Sequence, residues 1–382
     1  MRVAFVSPAL GFSGGLERFV FDRARALRAR GHEVWLAHGG ERGRDATAYA
    51  QAFDAVTEAG RGLPVAMDCA LVQRARSVEE LAWLGETPTL VWAHDHDATC
   101  VRSHRYVPLG REPCHRAPGV ACVLEGCVIV RDRRPESRFG LRVVDPFALR
   151  NDTRKLSERY VIVACSGYVR DSLVSAGAAS SRVVVSHPVP PSSEHDARER
   201  ERDPVLLVIG SLLRGKGVDI AIDALAWLPS NVRLRVLGDG PERAALEAHA
   251  ARVAPGRVEW MGAVHPDSVA REIDRCWAVL VPSRWPEPFG MTGIEAMRRG
   301  RPVVGARHGG IVEWLADERG AVGFDPGDPR SLAFEVKRVL ADGQLGGRAR
   351  AWAQSRWSFQ RSIDELETIV REVSKEKHGG LR

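Results

Sequence analysis

Short apolar runs alternate with helically spaced segments along this chain, and the alternation starts twice, at Arg2 and again at Val205. Such alternation lays the strands side by side in a parallel sheet, because each helix carries the chain back to the end where it began. The first series opens with RVAFVS (2–7) and a Pro/Gly-rich loop from Pro8 to Gly15. Leu16, Phe19, Val20, Ala24 and Leu27 then recur at helical spacing, with charged residues opposite and Gly31 as the stop. HEVWLAH follows as a strand, then CALVQR (69–74), PTLVWA (88–93), YVIVAC (160–165) and VVVSHPV. Ser166 is placed to cap the helix YVRDSLVSAG.

Residues 190–204 (PPSSEHDARERERDP) break all periodicity with proline, serine and dense charge, which reads as an interdomain linker. The second series runs VLLVIG (205–210), helix VDIAIDALAWL, VRLRVLG, helix GPERAALEAHAARV, VEWMG, WAVLVPS, helix GMTGIEAMRRG, and RPVVGA as its last strand. The expectation is an α/β chain of two doubly wound Rossmann-like domains facing a central cleft. They are placed at 1–190 and 203–355, with a C-terminal helix at 356–375 returning toward the first. A length of 382 residues, 44% hydrophobic and 27% charged, suits two ordinary globular domains. Ligands in such sheets sit at the carboxyl ends of the strands.

A formal charge of +6 suits anionic ligands. It is too dispersed for nucleic acid, and no zinc-finger spacing or aromatic–basic interleaving accompanies it. MRVAFVSPAL lacks the roughly 7–15-residue apolar core of a secretory signal, and no stretch approaches the ~20 apolar residues of a membrane span. A cytoplasmic protein is expected. Seven cysteines, an odd number, then read as thiols or ligands rather than disulfides.

The sharpest local feature is PSRWPEPFGMTGIEAM (282–297), with Glu287 in a Pro-rich loop and Glu295 eight positions on, inside the next helix. A loop carboxylate can reach sugar hydroxyls while one a turn deeper accepts from ribose. Between them Phe289, Gly290, Met291 and Thr292 lead into a helix N-terminus, whose amides suit a diphosphate. Upstream, Gly210-Ser-Leu-Leu-Arg214-Gly-Lys216-Gly follows a strand as a Gly-rich turn with two cations, lacking P-loop spacing. Gly238-Asp239 and Met261-Gly262 close two further strands where a nucleotide would lie.

These features resemble the E-x7-E signature of retaining glycosyltransferases of the GT-B fold, particularly the large family 4. The resemblance extends over nearly the whole chain through the Gly14-Gly15 loop, GHEV, KGVD, LGDGP and HGGIVEW. It implies transfer of a sugar from a UDP-, GDP- or similar donor, with retention at the anomeric carbon. Glu287 would contact the donor sugar and Glu295 the ribose. The family's Arg after the first glycine is Ser211 here, which leaves Arg214 to supply that charge beside Lys216. His94, at the end of PTLVWA, would reach donor sugar and acceptor. No convincing D-x-D clamp is present, so no metal is expected in catalysis, and the acceptor would be a glycan, a lipid-linked sugar or a small molecule.

Three alternatives share parts of this pattern: a GT-B epimerase or phosphorylase, a non-catalytic nucleotide-sugar binder, and an NAD-dependent oxidoreductase. The last lacks a carboxylate after HEVWLAH, where His38, Gly39 and Gly40 stand. Cys100, Cys114, Cys122 and Cys127 lie within 28 residues. Four thiols suit structural zinc, but without a C-x2-C pair to nucleate it packing explains them as well. Residues 101–140 also carry eight arginines against four acids, a charge that suits an anionic acceptor or peripheral membrane contact.

Overall fold

The computed structural model describes residues 1–108, 112–131, 140–191 and 200–376. Arg111, Asp132, Arg133, Arg134, Glu136 and Arg138 of the basic segment, and 192–199 of the expected linker, lie outside them. The chain divides into two units, Met1–Pro188 with the segment from Phe359 onward, and Val189–Ser358.

The first unit contains β1 (Arg2–Leu10), β2 (Glu33–Arg42), β3 (Ala55–Glu58), β4 (Cys69–Val72), β5 (Thr89–Ala93), β6 (Ile129–Arg131), β7 (Leu141–Val143), β8 (Val161–Ala164) and β9 (Val183–Val185). Seven form one sheet in the order β3-β2-β1-β4-β5-β8-β9, with every pairing parallel. β6 and β7 make a separate antiparallel ribbon. β4 and β8 are buried at every position, as befits strands covered on both faces.

The helix Phe359–Glu376 belongs to this unit although its sequence follows the second. Ile363, Leu366, Val370 and Val373 recur at helical spacing and join the core of Val3, Leu71, Leu90 and Trp92. Glu367 bonds His32 at 2.6 Å and Asp364 pairs with Arg30 at 2.7 Å. Leu366→Ala is therefore expected to cost about 2–5 kcal/mol by leaving a cavity in the first unit, measured by urea denaturation. A cost near zero would mean that the helix is only loosely docked.

The second unit contains β10 (Val205–Ile209), β11 (Arg233–Leu237), β12 (Val258–Gly262), β13 (Ala278–Val281), β14 (Val303–Ala306) and β15 (Ala321–Phe324). Their order is β12-β11-β10-β13-β14-β15, all parallel. RPVVGA is thus not the last strand. AVGF follows it and pairs with β14, a run too short and too interrupted by Gly323 to announce a strand.

In each sheet the strand order reverses once, between β1 and β4 and between β10 and β13. At such a switch point the loops leaving two adjacent strands depart in opposite directions and open a crevice.

Candidate functional site

In the second unit the loops leaving β10 and β13 meet at this crevice. Gly217 adopts a left-handed φ of +66°, and a Cβ there would lie 1.9 Å from the Pro282 carbonyl oxygen. A Cβ on Gly215 would lie 2.1 Å from the Trp285 ring, and the Arg284 amide donates to the Gly215 carbonyl at 2.8 Å. Only glycine permits this approach.

The close packing brings Lys216 Nζ to 2.6 Å from Glu287 Oε1. The same oxygen accepts from Ser283 Oγ at 2.6 Å and from Trp285 Nε1 at 3.3 Å. Burial alone would raise the carboxyl's pKa. The Lys216 ammonium and the hydrogen bonds from Lys216, Ser283 and Trp285 outweigh it and hold the group below the ordinary glutamate value. Glu287 is therefore held as an anion, with its Oε1 occupied by protein donors.

The backbone of Glu287 is clamped from the other side by His308-Gly309-Gly310. The Gly310 amide donates to the Glu287 carbonyl at 2.7 Å, and His308 Nε2 donates to the Ser283 carbonyl at 2.8 Å. A Cβ on Gly310 would sit 2.0 Å from the Pro288 oxygen. The motif HGGIVEW was visible in the sequence without a role. Its role is to hold the Glu287 loop.

Gly290 caps the helix Met291–Arg298 in a left-handed conformation. Met291 and Thr292 form its first turn, and Glu295 lies half-buried one turn further. Gly293 and Gly305 press on the ring of Trp314, which is fully buried. Phe289 points into the interior, and its carbonyl accepts from Trp314 Nε1 at 2.6 Å. Its contribution is to anchor the loop. Arg214 is exposed in the turn Arg214–Lys216, and Lys216 makes the ion pair with Glu287.

Gly210, Gly238 and Gly262 tie three strand ends together, the Gly210 amide to the Leu237 carbonyl at 2.9 Å and the Gly238 amide to the Gly262 carbonyl at 2.8 Å. A Cβ on Gly238 would fall 1.9 Å from the Gly210 oxygen. Asp239 and Met261 are exposed beside them.

In the first unit, Gly14 precedes the helix Gly15–Ala29 at the end of β1, and His94 follows β5. His94 lies parallel to Trp92 with centroids 5.7 Å apart and edge-on to Phe19 at 4.6 Å. Its Nε2 lies 2.9 Å from Gln73 Oε1. The Gln73 amide orientation is set by its own donation to the Leu71 carbonyl at 2.9 Å. A carbonyl oxygen only accepts, so His94 Nε2 carries the proton and Nδ1 the lone pair.

Burial, then the charges of Arg23 and Arg74, push the His94 pKa down to about 3. Gln73, which nothing in the sequence singled out, is thus a positioning residue for a neutral imidazole. His96 turns into the interior against Tyr168. Asp95 and Asp97 pair with Arg74 at 2.5 and 3.0 Å, and Asp97 also with Arg76 at 3.1 Å.

The depressed pKa predicts an acid-linked loss of stability. His94 must gain a proton on unfolding wherever the pH lies below its unfolded value of about 6.5. Its contribution is complete above that value and is lost as the pH falls from about 6.5 toward 3. Histidine 15N shifts should show a neutral Nε2–H tautomer at pH 5. An imidazolium signal at that pH contradicts the arrangement.

Cys100, Cys114, Cys122 and Cys127 are free thiols. Cys127 forms a small apolar cluster with Val101 and Leu149, against which Cys122 packs. Among the described residues no group of three or more His, Cys, Asp or Glu is arranged to hold a metal ion.

Part of the chain is similar in sequence to known proteins, and its fold is similar to solved structures. Residues 192–356 match the family model described as Glycosyl transferases group 1. A D-inositol 3-phosphate glycosyltransferase of Xylanimonas cellulosilytica is 34% identical over 186 residues, covering 46% of this chain and 44% of that protein. An N-acetyl-alpha-D-glucosaminyl L-malate synthase of Bacillus anthracis is 28% identical, covering 47% and 48%. The chain thus matches less than half the length of either relative. Among solved structures, Anabaena HepE in complex with UDP and glucose superposes with a TM-score of 0.72 at 19% identity, covering 97% of this chain and 100% of that one. At that identity the likeness speaks for the fold.

Proposed function

We infer that this chain, whose residues 192–356 match the model described as Glycosyl transferases group 1, is a GT-B glycosyltransferase that moves a hexose from a nucleotide-sugar donor with retention of anomeric configuration. The observation that carries this reading is the buried Glu287 carboxylate, ion-paired to Lys216 at the switch point of the second sheet. The chemistry asks for stabilisation of a departing diphosphate and for orientation of the sugar. Lys216 supplies a cation to the leaving group, and the amides opening the helix Met291–Arg298 supply dipoles. Glu287 Oε2 accepts from a donor-sugar hydroxyl, and Glu295 accepts from the ribose. Gly238, Asp239, Met261 and Gly262 border the nucleoside. In the first unit Gly14 and Gly15 let backbone approach the ligand closely, and His94 Nδ1 offers a lone pair to a sugar or acceptor hydroxyl.

HepE, whose structure holds UDP and glucose, supports a UDP-sugar as the first donor to test. The acceptor is a glycan, a lipid-linked sugar or a small polar molecule. A thermal-shift series with UDP- and GDP-sugars tests the donor, since a ligand at 100 times its Kd stabilises the native state by about 2.7 kcal/mol. A shift with one nucleotide sugar and none with NAD is expected. Release of free sugar nucleotide products, in place of a glycoside, would favour an epimerase or phosphorylase, and stabilisation by NAD alone would overturn the reading.

A further inference from the structure

One cation of the first unit stands where the helix pattern calls for an apolar side chain. The buried residues of the helix Gly15–Ala29 include Phe19, Val20, Arg23, Ala24 and Leu27, and Arg23 is only 1% exposed. Its guanidinium carbon lies 3.6 Å from the centre of the Phe19 ring and 5.8 Å from that of Trp92. Among the described residues Arg23 makes no ion pair. Asp22, the carboxylate nearest to it, accepts instead from Arg18 Nε at 2.8 Å. Arg23 Nε has no hydrogen-bond partner among the described residues, and Nη2 reaches the His187 carbonyl only at 3.5 Å. Burial, against the pull of Asp22, pushes the guanidinium down to about 9, which leaves it charged at neutral pH.

A buried charge without a counterion costs stability, and an apolar side chain of similar length would remove that cost. Its position says what the charge acts on. His94 sits edge-on to Phe19 with centroids 4.6 Å apart and stacks on Trp92. Guanidinium and imidazole both lie against Phe19, so they are no more than about 8 Å apart. The other charges around the imidazole are balanced. At the end of β4, Arg74 pairs with Asp95 and Asp97 from the loop after β5, and Asp97 also pairs with Arg76. Glu17, in the first turn of the helix that carries Arg23, adds its negative charge near Arg74. Just past β8, Cys165 Sγ donates to the His94 carbonyl at 3.8 Å. His187, beyond β9, turns its carbonyl to Arg23, and Phe359 of the C-terminal helix turns its ring. Among the described residues, Arg23 is thus the positive charge beside His94 that no carboxylate answers.

We propose that Arg23 is a positioning residue for His94. Held against the two rings that support the imidazole, its charge keeps a second proton off that ring. Nδ1 thereby stays a lone pair for a sugar or acceptor hydroxyl and does not turn into a donor. A carboxylate beside a histidine favours imidazolium, and a cation does the reverse, which suits a histidine that only accepts. The role rests on the proposed place of His94 in sugar transfer, but the effect on the ring is read without any substrate.

Histidine 15N shifts, followed from neutral pH down to the onset of acid unfolding in the unaltered protein and in Arg23→Met, test it. The His94 signal is identified by its loss in His94→Gln. A unit charge about 8 Å away, at an effective dielectric of about 20, moves a titration by about one pH unit or more. Imidazolium should therefore appear at His94 about one pH unit or more higher in Arg23→Met, while the urea midpoint at neutral pH does not fall. Arg23→Lys, which keeps a charge, should titrate nearer the unaltered protein. Should Arg23→Met be misfolded by circular dichroism, Arg23→Gln carries the same expectation. An unchanged His94 titration in a folded variant without the charge overturns the proposal and leaves Arg23 a packing role, and so does a shift that recurs in full in Arg23→Lys. With the nucleotide sugar that stabilises the protein, the acid limb of kcat/KM should move by the same interval as the titration. A shifted titration with an unmoved acid limb would count against the place of His94 in transfer, not against the hold of Arg23 on its ring.

Discussion

Glu287→Gln is expected to lower turnover about a hundredfold while leaving the fold intact. The substitution keeps the shape and removes the charge that Lys216, Ser283 and Trp285 address at 2.6, 2.6 and 3.3 Å. A hydrogen bond to a charged group contributes about 1.5–3 kcal/mol, and each 1.36 kcal/mol is tenfold in rate. Losing the sugar contact at Oε2 and the alignment of Lys216 together accounts for the expected size. Steady-state kinetics with the stabilising nucleotide sugar should show the loss mainly in kcat.

Lys216→Ala should instead weaken binding of the nucleoside diphosphate much more than that of the nucleoside, because it removes the cation from the phosphates. Arg214→Ala should do the same only if the exposed Arg214 side chain turns to the diphosphate when it binds. Ordinary kinetics in Glu287→Gln, or equal losses for nucleotide and nucleoside in Lys216→Ala, would remove these residues from the donor site. The ionised Glu287 has a stability signature as well. Its depressed pKa means that its contribution is present above about pH 4.5 and falls away as the carboxyl is protonated below that.

The second large effect is expected at Gly217. Alanine there meets two obstacles, a left-handed φ of +66° and a backbone oxygen 1.9 Å from its Cβ. Gly256 has nearly the same conformation, φ +70°, with nothing within 4 Å of the added carbon. Gly256→Ala thus isolates the conformational cost, about 1–2 kcal/mol. Gly217→Ala adds displacement of the Pro282 loop, and a total of about 3 kcal/mol or more is expected, with donor affinity falling because Lys216 and Glu287 separate. Chemical denaturation of the pair of variants measures both terms. If the two cost the same, the loops are not held by this contact and the Lys216–Glu287 pair does not depend on it.

The parallel strands of both sheets were legible because a strand covered on both faces must be an apolar run, and runs such as VLLVI and VIVA can hardly be anything else. β3 escaped because AVTE has only two apolar residues, β15 because Gly323 interrupts the short run AVGF, and the ribbon of β6 and β7 because its three-residue strands lie in or beside a Cys/Arg-rich segment without periodicity. The relation of Glu287 to Glu295 was also readable, since it is a matter of local spacing between a loop and the helix after it.

What local spacing cannot contain is which loop lies beside which. Lys216 and Glu287 are 71 residues apart and meet only because β10 and β13 are neighbours where the strand order reverses. The choice of Lys216 over Arg214 for the ion pair, the turning of Phe289 inward, and the grip of His308 and Gly310 on the Glu287 loop follow from that adjacency and from glycines that let backbones touch. Gln73 and His94 are brought together in the same way, at the carboxyl ends of β4 and β5. The sequence alone determined the two sheets and the residue types able to handle a sugar diphosphate, because burial and helix geometry act over a few residues. Only the tertiary structure decided which of those side chains meet and in what protonation state, because proximity, desolvation and neighbouring charge are set by segments distant along the chain.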